Sequence, residues 1–150
     1  MRCKLLGCAA IVALLLASGC SVVPDLTKLR ERAEQGEVKA QNSLGLRYYH
    51  GTWVRADKTA AAIWFRKAAE QGYLKAQFNL GLCYYKGEGV VADVIEAYKW
   101  FYLAGLAGDE PASAEHLKLA KVMTAEQVAE AQLRAKQCLQ TKAPVQSAKS

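Results

Sequence analysis

Cysteine and histidine carry the most reactive side chains in this chain, which holds five cysteines and two histidines. Cys83 and Cys138 are the only cysteines after the first twenty residues. Cys83 falls late in one predicted helix and Cys138 at the end of another, whereas a disulfide needs Cα atoms within about 7 Å of each other. We therefore predict no Cys83–Cys138 bond. His50 and His116 have no second ligand at metal-site spacing, so we expect no metal and no cofactor.

Signatures of the common hydrolases are missing from the sequence. The patterns G-x-S-x-G, S-x-x-K and H-E-x-x-H, which place a nucleophile or a zinc ligand beside its base, do not occur. We therefore expect that the protein is not an enzyme. Catalysis is kept as a third alternative function, for which a turnover screen is the test.

The elements that must position any binding residue come from an internal repeat. Residues 37–72 align without a gap on residues 73–108, and a direct count gives 17 identical positions among 36. Identity at this level over a fixed period indicates a repeated structural unit. The repeat is therefore the unit of the fold.

Each copy of the repeat predicts two helices joined by a loop. Apolar residues recur at i, i+4 and i+8 in the first half and at i, i+3 and i+7 in the second, which is typical of one helical face. Gly51, Gly87 and Gly89 suit the turn that ends a helix, and Asp57 and Asp93 suit the N-cap of the next. The stripes are Ala40, Leu44 and Tyr48 with Ala61, Trp64 and Ala68 in copy one, and Ala76, Leu80 and Tyr84 with Ala97, Trp100 and Ala104 in copy two.

Glycine also occurs inside the first helix of both copies, as Gly45 and Gly81. Because glycine in a helix interior costs about 1 kcal/mol relative to alanine, its repetition indicates that another element approaches closely there. Asp93 is followed three residues later by Glu96, which predicts a capping box. Single hairpins cannot bury their stripes, so the hairpins must stack on one another.

The pattern A-x3-L-G-x2-Y-x2-G-x-G-V-x2-D-x3-A-x2-W-x3-A-A-x2-G resembles the Sel1-like repeat, a relative of the tetratricopeptide repeat. Copy two departs from it at Gly105, and copy one has Trp53 where the second loop glycine is expected. The resemblance implies an all-α protein, a right-handed α-α solenoid of about seven helices. It also implies a scaffolding role in protein–protein contacts.

The first twenty residues differ from the repeats. Arg2 and Lys4 precede an apolar run over 5–17 that is short for a bilayer span, which indicates a secretory signal. The run ends in LASGC, which resembles the bacterial lipobox. That resemblance implies a signal peptide over 1–19 and a lipid attached to Cys20, the first mature residue. An ordinary leader with an incidental cysteine is the alternative.

The expected anchor places the protein in a bacterial cell envelope. Residues 20–24 form a tether of about 14 Å, at roughly 3.5 Å per residue, so the repeats should lie near the membrane. Ser21 follows the lipidated cysteine, and by resemblance to the Gram-negative sorting rule it favours the outer membrane, facing the periplasm. Loss of Arg2 and Lys4 leaves 18 basic and 14 acidic residues, a net charge of +4 instead of +6. This charge suits anionic lipid, acidic glycan or an acidic protein face, and we expect no nucleic-acid partner.

Truncated repeats are predicted to close both ends of the domain. Residues 25–36 form a half-repeat, because AEQG at 33–36 recurs at 69–72, and residues 109–139 form a decayed one. The repeat domain is therefore expected over 25–139, followed by a disordered tail over 140–150. The last helix should start from a Thr124–Gln127 capping box and carry an apolar face of Val128, Ala131, Leu133 and Ala135.

In tetratricopeptide hairpins the first helix lines the concave side, and the same is implied here. Aromatic and aliphatic residues with a basic rim (Lys39, Lys75, His50 and Lys86) suit an extended peptide, a partner helix or a glycan. Packing against the neighbouring repeat is the alternative role for the leucines and tyrosines. The candidate partner-binding residues are Asn42, Leu46, Tyr49, Phe78, Leu82 and Tyr85.

These observations predict a non-enzymatic, membrane-anchored adaptor that binds a protein partner through its concave face. The alternative is an envelope structural protein that binds peptidoglycan or an exported polysaccharide through tyrosine and lysine side chains. The sequence does not identify the partner of either.

Overall fold

The computed structural model describes residues 26–142, and within this range helices are the only regular elements. Successive helices pack on one another as an α-α solenoid, which confirms the predicted fold class. The predicted signal peptide over 1–19, Cys20 and the tether lie outside the described residues. The helices are α1 (Leu26–Glu34), α2 (Val38–His50), α3 (Lys58–Glu70), α4 (Leu74–Lys86), α5 (Val94–Leu106), α6 (Glu110–Ala120) and α7 (Ala125–Lys142).

The two complete hairpins follow the period seen in the sequence. Helices α4 and α5 begin and end 36 residues after α2 and α3. We refer to α2 and α3 as repeat one and to α4 and α5 as repeat two. Helix α7 runs to Lys142, so the first residues of the predicted tail over 140–150 are helical, and residues 143–150 lie outside the described range.

Aspartate side chains cap the second helix of each repeat. Asp57 accepts a hydrogen bond from the backbone N–H of Ala60 at 2.9 Å, and Asp93 accepts from Ile95 and Glu96 at 2.9 and 3.1 Å. The capping box predicted at Asp93 is only half formed, because the Glu96 carboxylate pairs with Lys99 and with Arg134 of α7 instead. That carboxylate thus ties α5 to the C-terminal cap.

Side chains also cap the N-termini of the two C-terminal helices. Asp109 accepts from the N–H of Ala112 at 2.9 Å, which starts α6. Thr124 and Gln127 exchange hydrogen bonds at 3.0 and 3.3 Å, so the capping box predicted for α7 is confirmed. These side chains satisfy N–H groups that the first helical turn leaves without a partner.

A glycine–phenylalanine contact holds each hairpin together. A methyl group added to Gly45 would lie 2.6 Å from the Phe65 ring, and one added to Gly81 would lie 2.6 Å from the Phe101 ring. Both rings are fully buried, beside Leu44 and Leu80 in the helical stripes. The close approach expected from the repeated glycines is therefore confirmed, and its partner is the phenylalanine of the second helix.

Two residues expected in the core are more exposed than predicted. Trp64 is only partly buried, with the Lys67 ammonium 4.2 Å from its ring centroid, whereas Trp100 is 4% exposed. Trp64 packs beside α1, which has nine residues, so its outer face stays open. Leu133 is 52% exposed, and the buried face of α7 is formed by Ala131 and Ala135.

The loop of repeat one keeps the backbone of repeat two despite its different sequence. Gly89 has a φ of 74°, and Trp53, which matches it 36 residues earlier, has a φ of 64°. This left-handed region is unfavourable for a residue with a Cβ and is strained for a bulky one. Trp53 therefore adopts the strained conformation, and the loop of repeat one keeps the left-handed residue that repeat two has at Gly89.

Candidate functional site

A groove of 270 Å³ opens between α2 and α4, at the junction of the two repeats. Its floor is apolar, its rim is basic, and one wall carries an amide. We refer to it as the α2–α4 groove. Its lining residues are Leu46, Tyr49, His50, Phe65, Asn79, Leu82 and Lys86.

The floor of the groove follows from the repeat itself. Leu46 and Leu82 occupy the same position in the two copies and are both partly buried. Phe65 reaches the groove from α3 because Gly45 leaves room for its ring. The Tyr49 ring lies beside Phe65, with 6.3 Å between the two centroids. A small residue in one helix thus lets an aromatic ring from the next form the base of the groove.

One wall of the groove is fixed across the repeat junction. The Tyr49 hydroxyl donates a hydrogen bond to the Glu88 carboxylate, which belongs to the loop of repeat two. The Lys58 ammonium lies 3.2 Å from the Tyr49 ring centroid and 3.5 Å from the Glu88 carboxylate. This bond to Glu88 and partial burial raise the pKa of Tyr49 to about 12, and the same hydrogen bond lowers the pKa of Glu88. Tyr49 is therefore a neutral hydrogen-bond donor with a fixed ring.

The matching tyrosine in repeat two lacks the carboxylate and the ammonium group that contact Tyr49. Tyr85 corresponds to Tyr49 and is 56% exposed. The residues 36 positions after Lys58 and Glu88 are Val94 and Thr124, which supply neither the cation nor the carboxylate. The contacts that fix the Tyr49 ring therefore belong to the junction between repeats one and two.

Three of the six residues predicted to face the groove do line it: Leu46, Tyr49 and Leu82. The other three lie elsewhere. Asn42 is 5% exposed and accepts a hydrogen bond from the Asn79 side chain at 3.0 Å, so it supports the groove from below. Phe78 packs on Phe101, with 5.6 Å between ring centroids. Tyr85 is exposed and is not among the residues that line the groove.

Two lining residues were missed from the sequence, Phe65 and Asn79. Phenylalanine occurs at the same position in both copies, as Phe65 and Phe101, and this repetition could have indicated its structural role. The core position was assigned to the adjacent tryptophans instead. Of the predicted rim residues, His50 and Lys86 lie at the groove, and Lys39 and Lys75 are exposed near the opposite ends of α2 and α4.

No cluster of three potential metal ligands occurs in residues 26–142, and no helix in that range is long and apolar enough to cross a bilayer. Cys83 and Cys138 are both free in the structure. Cys83 is fully buried, and burial raises the pKa of its thiol to about 11. A thiol in that state is a poor nucleophile at neutral pH.

A family model for the Sel1 repeat matches residues 38–73 and 74–109, one residue later than the boundaries read from the sequence. The chain is also similar to the crystal structure of a Sel1 repeat protein from Oxalobacter formigenes, at 38% identity and a TM-score of 0.59. That similarity covers 60% of this chain and 68% of the other.

Three further proteins are similar to part of this chain. The crystal structure of c5321, a protective antigen of uropathogenic Escherichia coli with an SLR fold, matches at 39% identity and a TM-score of 0.72, over 77% of this chain and 25% of that one. Helicobacter pylori cysteine rich protein B matches at 30% identity and a TM-score of 0.56, over 57% of this chain and 65% of that one. The secretory immunoglobulin A-binding protein EsiB of E. coli O6:H1 is 46% identical over 43 residues, which are 29% of this chain and 9% of EsiB.

Proposed function

This chain belongs to the Sel1 repeat family, and from that premise we propose that it is a non-enzymatic adaptor, anchored to a membrane, that binds a protein partner through the α2–α4 groove. Sel1 repeats in general mediate protein–protein interaction and are not a catalytic fold. A relative, EsiB, is named for binding secretory immunoglobulin A, which is a protein. The family thus supplies the class of function, and the groove supplies the site.

The observation that carries this proposal is the combination of floor and rim in one groove. Leu46, Phe65 and Leu82 offer an apolar surface, while His50 and Lys86 lie at the edge. Such a groove fits a peptide segment whose apolar side chain lies next to an acidic one, because each side chain then meets its complement. The brace between Tyr49 and Glu88 holds the groove open before binding, which reduces the ordering cost of association.

The membrane anchor is proposed from the sequence LASGC, with lipid on Cys20. The relatives named above with their organisms are bacterial, which supports a bacterial envelope. The outer membrane facing the periplasm is the location that Ser21 favours. Loss of fatty-acid labelling in Cys20→Ser would support the anchor, and undiminished labelling would contradict it.

Crosslinking in the intact envelope tests the groove. Leu82→Ala removes part of the floor and Lys86→Glu reverses a charge on the rim, so each should lower partner capture at least about tenfold, which is ~1.4 kcal/mol. Lys75→Glu is the matched control, because Lys75 is exposed on the same helix outside the groove. Capture by Leu82→Ala and Lys86→Glu at the level of the parent would place the partner site elsewhere.

The glycan alternative is separated by a second measurement on the same variants. Sedimentation of the parent with purified cell wall, abolished by Lys86→Glu, would identify an acidic glycan as the ligand and would contradict the protein-partner proposal. We expect no cosedimentation.

A further inference from the structure

Three loops lie on one edge of the solenoid. Helices α2 to α6 follow one another across short loops, and each packs on the next, so the loops that follow α2, α4 and α6 (51–57, 87–93 and 121–124) lie on the same side of the stack. We refer to these loops as the loop edge. Each loop exposes one apolar side chain: Trp53 is 51% exposed, Val91 is 88% exposed and Val122 is 79% exposed. The fold gains little from any of them.

Trp53 is the least expected of the three. Its φ of 64° lies in the left-handed region, where repeat two has Gly89, and a bulky residue is strained there. Strained backbone at an exposed aromatic residue is a reason to look for a function. The Trp53 ring is held by the Arg47 guanidinium, 3.7 Å from its centroid, so the side chain has a defined position at the surface.

The charges around these residues are mainly positive. Arg55 and Lys121 are exposed on the loop edge, and a neighbouring open groove of 660 Å³ is lined by Arg30, Arg55 and Lys58. The acidic groups nearby are largely engaged, since Asp57 and Asp93 cap helices. The Glu88 carboxylate is bound to Tyr49 and Lys58. The loop edge therefore presents apolar tips beside two exposed cations, Arg55 and Lys121.

The N-terminal end of the described chain also lies at this edge. Leu26, Leu29 and Tyr48 pack against one cluster between α1 and α2, formed by Ala33, Ala40 and Leu44. The Arg30 guanidinium donates to the Tyr48 hydroxyl at 2.9 Å. The start of α1 therefore lies at the loop edge. Five residues lie between Cys20 and Leu26, so the Cα atoms of these two residues are at most about 21 Å apart.

We infer that the loop edge is a membrane-contacting surface, in which Trp53 enters the headgroup region of the bilayer and the surrounding cations meet anionic lipid. Tryptophan favours this interface because its ring is apolar and its N–H is polar, and basic residues are attracted to anionic headgroups. The inference rests on the lipid anchor proposed above, which would hold this edge against the bilayer. The helices then stand upright on the membrane, and the α2–α4 groove opens sideways into the aqueous space.

The test uses the full acylated chain reconstituted into vesicles of phosphatidylethanolamine and phosphatidylglycerol brominated on their acyl chains near the headgroup. Flotation reports the anchor, and quenching of tryptophan fluorescence by bromine reports contact. We expect the parent to float and to lose up to about a third of its emission, because one of three tryptophans is in contact. Trp53→Gly, which carries the residue of repeat two and relaxes the backbone, should float equally and show no quenching.

Trp64→Phe is the matched control, because Trp64 is partly exposed on α3 away from the loop edge; its fractional quenching should rise to as much as about a half, because one of its two remaining tryptophans is in contact. Arg55→Val, which also copies repeat two, should reduce quenching only when phosphatidylglycerol is present. Flotation without quenching in the parent, or equal quenching in Trp53→Gly, would overturn the membrane contact and leave the anchor intact. Failure to float would overturn both. If the parent shows no quenching and Trp53→Gly captures less partner than the parent does, the loop edge would be assigned to a protein contact instead.

Discussion

Repeat one and repeat two have the same helices but different surroundings. Their helix bounds differ by a constant 36 residues, and the glycine–phenylalanine contact is 2.6 Å in both. Their tryptophans nevertheless differ, since Trp100 is buried and Trp64 is not. Residues shared by the repeats therefore fix the backbone of each hairpin, while the neighbouring element decides how far an identical side chain is buried.

The differences between the repeats trace to what flanks them. Repeat one packs against α1, which has nine residues, whereas repeat two packs against α3, which has thirteen. Trp100 is buried in a cluster that includes Ala62 and Phe65 of α3 and Ala135 of α7. Four pairs of substitutions test this comparison, in order of expected effect.

Trp100→Ala should lower the free energy of unfolding by about 3–5 kcal/mol, because it empties a buried aromatic site. Trp64→Ala should cost about half as much, since its ring is partly exposed and leaves a smaller cavity. Urea unfolding followed by circular dichroism gives both values. Equal losses would show that Trp64 is as buried as Trp100 and that the two repeats do not differ in this respect.

Gly81→Ala should lower the free energy of unfolding by about 1–2 kcal/mol, because overlap with the Phe101 ring outweighs the better helix propensity of alanine. Gly45→Ala should give the same loss, since the contact with Phe65 has the same length. Thermal melts of the two variants, with a lysine-to-alanine change at exposed Lys75 as control, provide the measurement. A rise in melting temperature in either variant would mean that the ring moves aside freely.

Trp53→Gly should raise the free energy of unfolding by about 1 kcal/mol, because it relieves the left-handed φ and loses only the contact with Arg47. Gly89→Ala should have the opposite sign. A methyl group at Gly89 would lie 2.0 Å from the Lys58 carbonyl oxygen. Chemical denaturation distinguishes them, and destabilisation by Trp53→Gly would show that the tryptophan supports the fold.

Ala107→Gln should raise the free energy of unfolding by up to about 1 kcal/mol, by supplying a hydrogen bond that only repeat one has. In repeat one, Gln71 donates to the Gln41 side chain at 2.8 Å, and Gln41 donates to the Ala33 carbonyl. In repeat two the Gln77 side chain donates to the Ala69 carbonyl at 3.2 Å, but its buried side-chain oxygen has no partner among the described residues.

The matched variant is Gln71→Ala, which copies position 107 into repeat one and should destabilise by a similar amount. If both Ala107→Gln and Gln71→Ala melt like the parent, this hydrogen bond between two glutamine side chains has no measurable effect on stability.

Much of the fold could be predicted from one alignment of the chain with itself. The period, the hairpin loops with their caps and the close approach at Gly45 and Gly81 were all readable, because backbone preferences and helical periodicity are local properties. The site was less predictable. Leu46, Tyr49 and Leu82 were placed correctly at the groove, but Asn42 turned out to be buried beneath it, and Phe65 was overlooked.

The amino-acid sequence by itself determined the repeated hairpin, because glycine, aspartate and apolar spacing act within a few residues of their own position. Only the tertiary structure decided which tyrosine is braced and which is exposed, because Glu88 and Lys58 reach Tyr49 from two different repeats. It also decided that Trp53 keeps a backbone suited to glycine. Contacts between repeats depend on what stands next in the stack, and no single repeat contains that information.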